Sequence, residues 1–127
     1  PLRNPLSEEF DTLRPSLLPG LLLAARHNFH RGQRDLMLFE VGYGNRRLPG
    51  AEPSYGLLVA GLVAGNRWTG VWNLGRDHTA DFFTARGVAE ALARGLGVTS
   101  LRAQPQQHSA LHPGRTAGLF AGEAYLG

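Results

Sequence analysis

Apolar side chains recur at helical spacing in the first third of the chain. Leu18, Leu22, Ala25 and Phe29 follow one another three or four positions apart, which predicts an amphipathic helix. Ser16 offers a capping hydroxyl for a start at Leu17. Pro19 fits the first turn because its missing N–H has no intrahelical partner there, and Gly32 closes the far end. The period then changes. Leu36 to Val41 reads as a short strand of bulky apolar residues, and Tyr55 to Ala64 as a second, apolar on both faces as a central sheet strand would be. Between them GYGNRRLPGAEPS, residues 42–54, has the Gly, Pro, Asn and Ser of a surface connection.

Helical spacing returns after Thr79 or Asp81, either of which serves a second helix start. Phe82, Ala85, Ala89, Leu92 and Leu96 form its apolar stripe, with Arg86, Glu90 and Arg94 opposite at four-residue intervals, and Gly97 ends it. Val98 to Ala103 reads as a strand and QPQQHSALHPGR, residues 104–115, as a loop. Gly118 to Leu126 reads as a hairpin with Ala121 and Gly122 near its turn. There is no internal repeat. Helices packed on an antiparallel or mixed sheet make this an α+β chain.

At 127 residues the chain fits one domain with a modest core. It opens on Pro1, and its final GEAYLG reads as the middle of a strand pair, so residues 1–127 are expected to be a single domain excised from a longer chain. No apolar run approaches the ~20 residues of a membrane span, and no basic-then-apolar leader opens the sequence. Cysteine is absent, which excludes disulfides and thiolate metal sites and suits a reducing cytosol. All 13 basic residues are Arg, and the formal net charge is +3. Only Arg46 and Arg47 are adjacent among them, a dispersion that fits codon usage better than a nucleic-acid footprint, where cations cluster.

Four blocks carry more than composition does. NPLSEEFDTLRPSLLPGL at 4–21, LFEVG at 38–42, DFFTARG at 81–87 and LHPGRTA at 111–117 occur in this order, and together the chain resembles the core of the beta subunit of bacterial phenylalanyl-tRNA synthetase. The matching positions are Asn4 to Ser7, Leu13-Arg14, Ser16 to Leu21, Asn28, Arg31, Leu38 to Glu40 and Gly42. Further along they are Leu62, Gly65, Trp72, Asp81 to Phe83, Gly87 and Leu111 to Arg115. TARG departs from the acidic residue and Lys usual there, and the connection after LFEVG is short.

The resemblance implies a class II aminoacyl-tRNA synthetase-like core, mostly antiparallel sheet with packed helices. It also implies an enzyme of two alpha and two beta subunits that charges tRNA with phenylalanine using ATP and Mg2+. Alpha carries the catalytic site, and this region of beta supports it in the cytoplasm. Class II catalytic cores hold ATP with an Arg-Glu strand motif and a Gly-rich motif ending in Glu-Arg. Neither pattern occurs in residues 1–127, so no catalytic, cofactor-binding or metal residue is assigned here. The competing reading is a free-standing synthetase-like paralogue that acts as an RNA- or protein-binding module.

Other constellations in the chain carry less. His27 with His30, and His108 with His112, have the spacing of paired zinc ligands, but no HExxH accompanies them; solvated or structural histidines are expected. Asp81, a His and Ser109 lack the GxSxG elbow of a hydrolase triad, and GYGNR lacks the Gly-Lys-Ser/Thr ending of a phosphate loop. Glu40 lies within an apolar strand and requires a cation; Arg14 and Arg115 are the candidates, with Glu40–Arg115 the pair favoured. Leu18, Leu21, Leu22, Ala25 and Phe29 are a subunit interface or internal core. The resemblance points to the interface, because class II synthetases build theirs from the corresponding helix and strand.

Overall fold

The computed structural model describes residues 14–46, 54–67 and 78–127. Asn4 to Ser7, Leu13 and Trp72 of the family blocks lie outside the described residues. The chain is α+β, with two helices and antiparallel sheets among the described residues. It divides into two compact units, residues 1–81 and 82–127.

In the first unit, helix α1 spans Leu18–His30 and is followed by strands β1, Leu36–Arg46, and β2, Ser54–Ala64. Ser16 serves the helix start from one residue further out than a cap: its Oγ accepts the Leu18 N–H at 3.1 Å while Leu17 holds the capping position. Pro19 sits in the first turn. At the other end Gly32, at φ 84°, lets the Gln33 N–H reach Asn28 O at 3.1 Å, the reversal that only a left-handed residue makes without strain.

β1 and β2 pair antiparallel from Leu36 opposite Ala64 to Arg46 opposite Ser54. β1 therefore runs five residues past Val41, through the first part of the segment read as a connection. The punctuation that suggested a loop has another use. A Cβ on Gly42 would meet Arg14 Nη2, and one on Gly44 would meet Leu58 Cδ1. These glycines make room for neighbouring side chains while their backbones stay in the ladder. Tyr43 and Tyr55 add a stacked ring pair, centroids 5.0 Å apart.

Among the described residues β2 pairs with β1 alone, in a two-stranded sheet, where a central strand would have a neighbour on each side. Alternation sends one set of side chains towards α1, where Leu17, Leu21, Ala25 and Leu36 are buried. The opposite set, including Met37, Phe39, Val41, Leu57 and Val59, is exposed, Phe39 by 78%. β2 is apolar on both faces, as its sequence says, but among the described residues only one face is covered.

The second unit holds helix α2, Phe82–Gly95, and strands β3, Leu101–Pro105, β4, Ala117–Ala121, and β5, Ala124–Tyr125. Gly97, at φ 82°, ends α2 with the same reversal, the Val98 N–H bonding Ala93 O at 2.8 Å. The strands form one antiparallel sheet in the order β3-β4-β5. β3 starts three residues later than expected, because Val98 is used in the helix end. The hairpin turn falls on Gly122 and Glu123, with positive φ at Gly122 alone, one residue beyond the expected pair. The α2 stripe is present but largely uncovered: Thr84 and Ala93 are buried, whereas Phe82, Leu92 and Leu96 are exposed. Arg86 pairs with Glu90 at 2.7 Å on the polar face, as the four-residue spacing predicts. Among the described residues no helix is long and apolar enough to cross a membrane.

Candidate functional site

The five residues proposed as interface or core separate on the structure. Leu21 and Ala25 point into the strand pair and are buried, Leu18 and Phe29 are half-buried, and Leu22 is 53% exposed. The inward face of α1 is Leu17, Leu21 and Ala25 at four-residue spacing, turned by one position from the Leu18–Leu22 series. Leu17, at 2% exposure, is the most deeply buried large side chain described, and periodicity counted from Leu18 passes over it. A helix reading LPGLLLAA is apolar nearly all round, so its sequence alone does not choose which leucines turn inward.

Leu22, Ala25 and Phe29 form one wall of an open cleft of about 480 Å3, and Leu62, Val63 and Ala64 at the end of β2 form the other. Arg26, His30 and Arg34 stand at its edge. The Arg34 guanidinium lies over the Phe29 ring, 5.7 Å from its centroid, so the aromatic wall and the cation are held together. Sequence reading did not single out Arg26 or Arg34. Arg26 and His30 are four residues apart on α1, a spacing visible in the sequence, whereas Arg34 follows the Gly32 reversal and reaches the same edge only in the fold.

On the other side of the helix Glu40 has its cation. Arg14 Nη1 donates to Glu40 Oε1, Arg14 Nε donates to Tyr43 O at 3.2 Å, and Arg14 O accepts the Asn45 N–H at 2.9 Å. Arg14 thus ties the segment before α1 to β1 at three points. Gly20 faces the same carboxylate; a Cβ there would stand 3.3 Å from Glu40 Oε2. Of the two candidates Arg14 makes the pair, because it enters directly over Gly42 on the same strand face. Arg115 belongs to the second unit, where its N–H bonds His112 O at 3.0 Å, and its pairing with Glu40 stays a proposal. Both groups of the Arg14–Glu40 pair are partly exposed, at 48% and 29%, so solvent screens it and Arg14→Ala is expected to cost about 1 kcal/mol. Urea unfolding of Arg14→Ala beside Arg115→Ala tests this. A loss confined to Arg115→Ala would return the pair to the LHPGR block.

The two histidines of the 104–115 loop are engaged in their own turns. His108 Nδ1 accepts the Ala110 N–H at 3.2 Å, and His112 Nδ1 accepts the Gly114 N–H at 3.1 Å. Each ring's Nδ1 is thus occupied within its own turn. Among the described residues no three His, Asp or Glu side chains converge as a metal site. Asp35, Glu40 and Glu90 are bonded to the Asn66 N–H, Arg14 and Arg86 respectively.

A family model described as the phenylalanyl tRNA synthetase beta chain CLM domain matches residues 1–127. The chain belongs to this family. Among its relatives, the Symbiobacterium thermophilum protein named phenylalanine–tRNA ligase beta subunit is 39% identical over 127 residues, covering 99% of this chain and 14% of its own length. Proteins of the same name from Novosphingobium aromaticivorans and Zymomonas mobilis are 39% and 40% identical, each match covering 95% of this chain and 16% and 15% of theirs. The chain therefore spans only a small part of these ligase subunits. Within the beta chain family match, the RPSLLPGL, LFEVG, DFFTARG and LHPGRTA blocks fall on the entry to α1, on β1, on α2 and on the loop before β4.

Proposed function

We propose that residues 1–127 are a non-catalytic, class II synthetase-like core region of a phenylalanine–tRNA ligase beta subunit. It supports a catalytic alpha subunit in the ATP-dependent charging of tRNA with phenylalanine. The observation that carries this reading is the α1 surface: Leu22 and Phe29 form an apolar wall open to solvent, continuous with a helix whose inner face already holds the core. Exposed apolar surface on this scale, repeated on the outer face of β1–β2, belongs to a domain that meets other chains or other parts of its own. The relatives' name supplies the partner, and the assembly proposed is two alpha and two beta subunits in the cytoplasm.

ATP and Mg2+ serve the whole enzyme and are assigned to alpha. Among the described residues Asp35, Glu40 and Glu90 are each bonded within the fold, and no three His, Asp or Glu side chains converge. This chain's contribution is therefore positional. Arg14, Glu40 and Gly20 fix the angle at which α1 crosses β1, and so the surface that α1 presents.

ATP–pyrophosphate exchange tests the division of labour. The chain alone is expected to give no phenylalanine-dependent exchange, and the reconstituted alpha–beta enzyme full exchange. Exchange that persists in the chain after repurification away from host synthetase contradicts the non-catalytic reading.

A further inference from the structure

The cleft beside α1 has a charge pattern as well as an apolar floor. No Asp or Glu occurs between Arg14 and Arg34. Arg26, His30 and Arg34 stand at the cleft edge, and among the described residues neither Arg26 nor Arg34 has a carboxylate partner. The nearest acid in sequence, Asp35, is turned away and accepts the Asn66 N–H at 2.7 Å. The cations stand at the edge of an apolar trough whose wall includes the exposed Leu22.

We infer that this cleft receives a segment of the partner subunit carrying an apolar anchor side chain flanked by carboxylates. The inference rests on the interface reading above and adds the chemistry of what docks there. The anchor fills the space between Phe29 and Leu62, and the carboxylates meet Arg26 and Arg34. Two features favour a polypeptide over a metabolite. The cleft is open along one side, and its wall includes Leu22, which at 53% exposure leaves apolar surface facing solvent where a small ligand would be enclosed. Its cations also come from two stretches of chain, Arg26 and His30 on α1 and Arg34 beyond the Gly32 reversal, which suits a peptide laid alongside rather than one oxyanion. Arg34, held over Phe29, is preorganised for a bidentate carboxylate contact.

The test uses the natural-length beta chain with its alpha subunit, comparing Arg26→Glu/Arg34→Glu with Leu22→Asp and with Arg31→Glu, a charge reversal on the same helix end but outside the cleft. All three change solvent-exposed side chains, and circular dichroism checks that each variant folds. The expected result is at least a tenfold weaker alpha–beta association for Arg26→Glu/Arg34→Glu at ~0.1 M salt, with the salt dependence of the wild type reduced. Arg31→Glu should stay within about twofold, as a rim charge outside the contact does. Weakening by Leu22→Asp with no effect of Arg26→Glu/Arg34→Glu would leave the interface and overturn the acidic occupant. No effect of either would overturn both. An equal effect of Arg31→Glu would show bulk charge rather than docking. Loss of tRNA binding with intact assembly would make the cleft an RNA surface and overturn the inference.

Discussion

Leu17→Ala should cost the chain about 2–4 kcal/mol, the largest single-site stability loss expected from a conservative truncation here. Leu17 is 2% exposed and sits where the entry segment, α1 and β1 meet; its Cδ2 lies 3.5 Å from where a Gly42 Cβ would be. Removing it opens a cavity between elements that Arg14 already pins in place, so collapse around the void is restricted and the loss falls towards the upper part of that range. Leu18→Ala, at a half-buried position one residue on, should cost clearly less. Urea unfolding of both variants followed by far-ultraviolet circular dichroism makes the comparison. A larger loss for Leu18→Ala would mean that the helix is rotated back to the face its periodicity suggests.

That one-position rotation shows where sequence reading stops. The existence of α1 and α2 was legible because caps and glycine stops are local devices, and Gly32 and Gly97 act where they stand. The inward face of α1 was not, because leucines surround that helix and only the strands beneath it choose among them. β1 was read short for the converse reason. Gly42, Gly44 and Asn45 are loop-forming by propensity, yet pairing with β2 and the space needed by Arg14 and Leu58 keep them in a strand. Glu40's need for a cation followed from its apolar neighbours; the choice of Arg14 depended on chain entry over Gly42, which no spacing rule contains. The cleft was half legible. Its apolar wall lies in the proposed stripe, whereas Arg26 on α1 and Arg34 beyond the Gly32 reversal are brought to one edge by the fold alone.

Replacing Leu22 or Phe29 with Asp should break alpha–beta assembly while leaving the beta chain folded, and this is the second large effect expected. Leu22 makes the cleaner test. At 53% exposure in the chain alone, an Asp there costs little beyond its lower helix propensity, roughly 0.7 kcal/mol. Buried against a partner, the same carboxylate is unpaired and costs several kcal/mol, which is a hundredfold or more in association. Phe29 is half-buried and holds Arg34, so Phe29→Asp should weaken assembly together with a measurable loss of stability. Mass photometry of the natural-length beta chain mixed with alpha at nanomolar concentration tests the supporting role most directly. A wild-type complex that dissociates into subunits on Leu22→Asp, with the variant's circular dichroism unchanged, is the predicted result. An intact complex from a folded Leu22→Asp chain would contradict it.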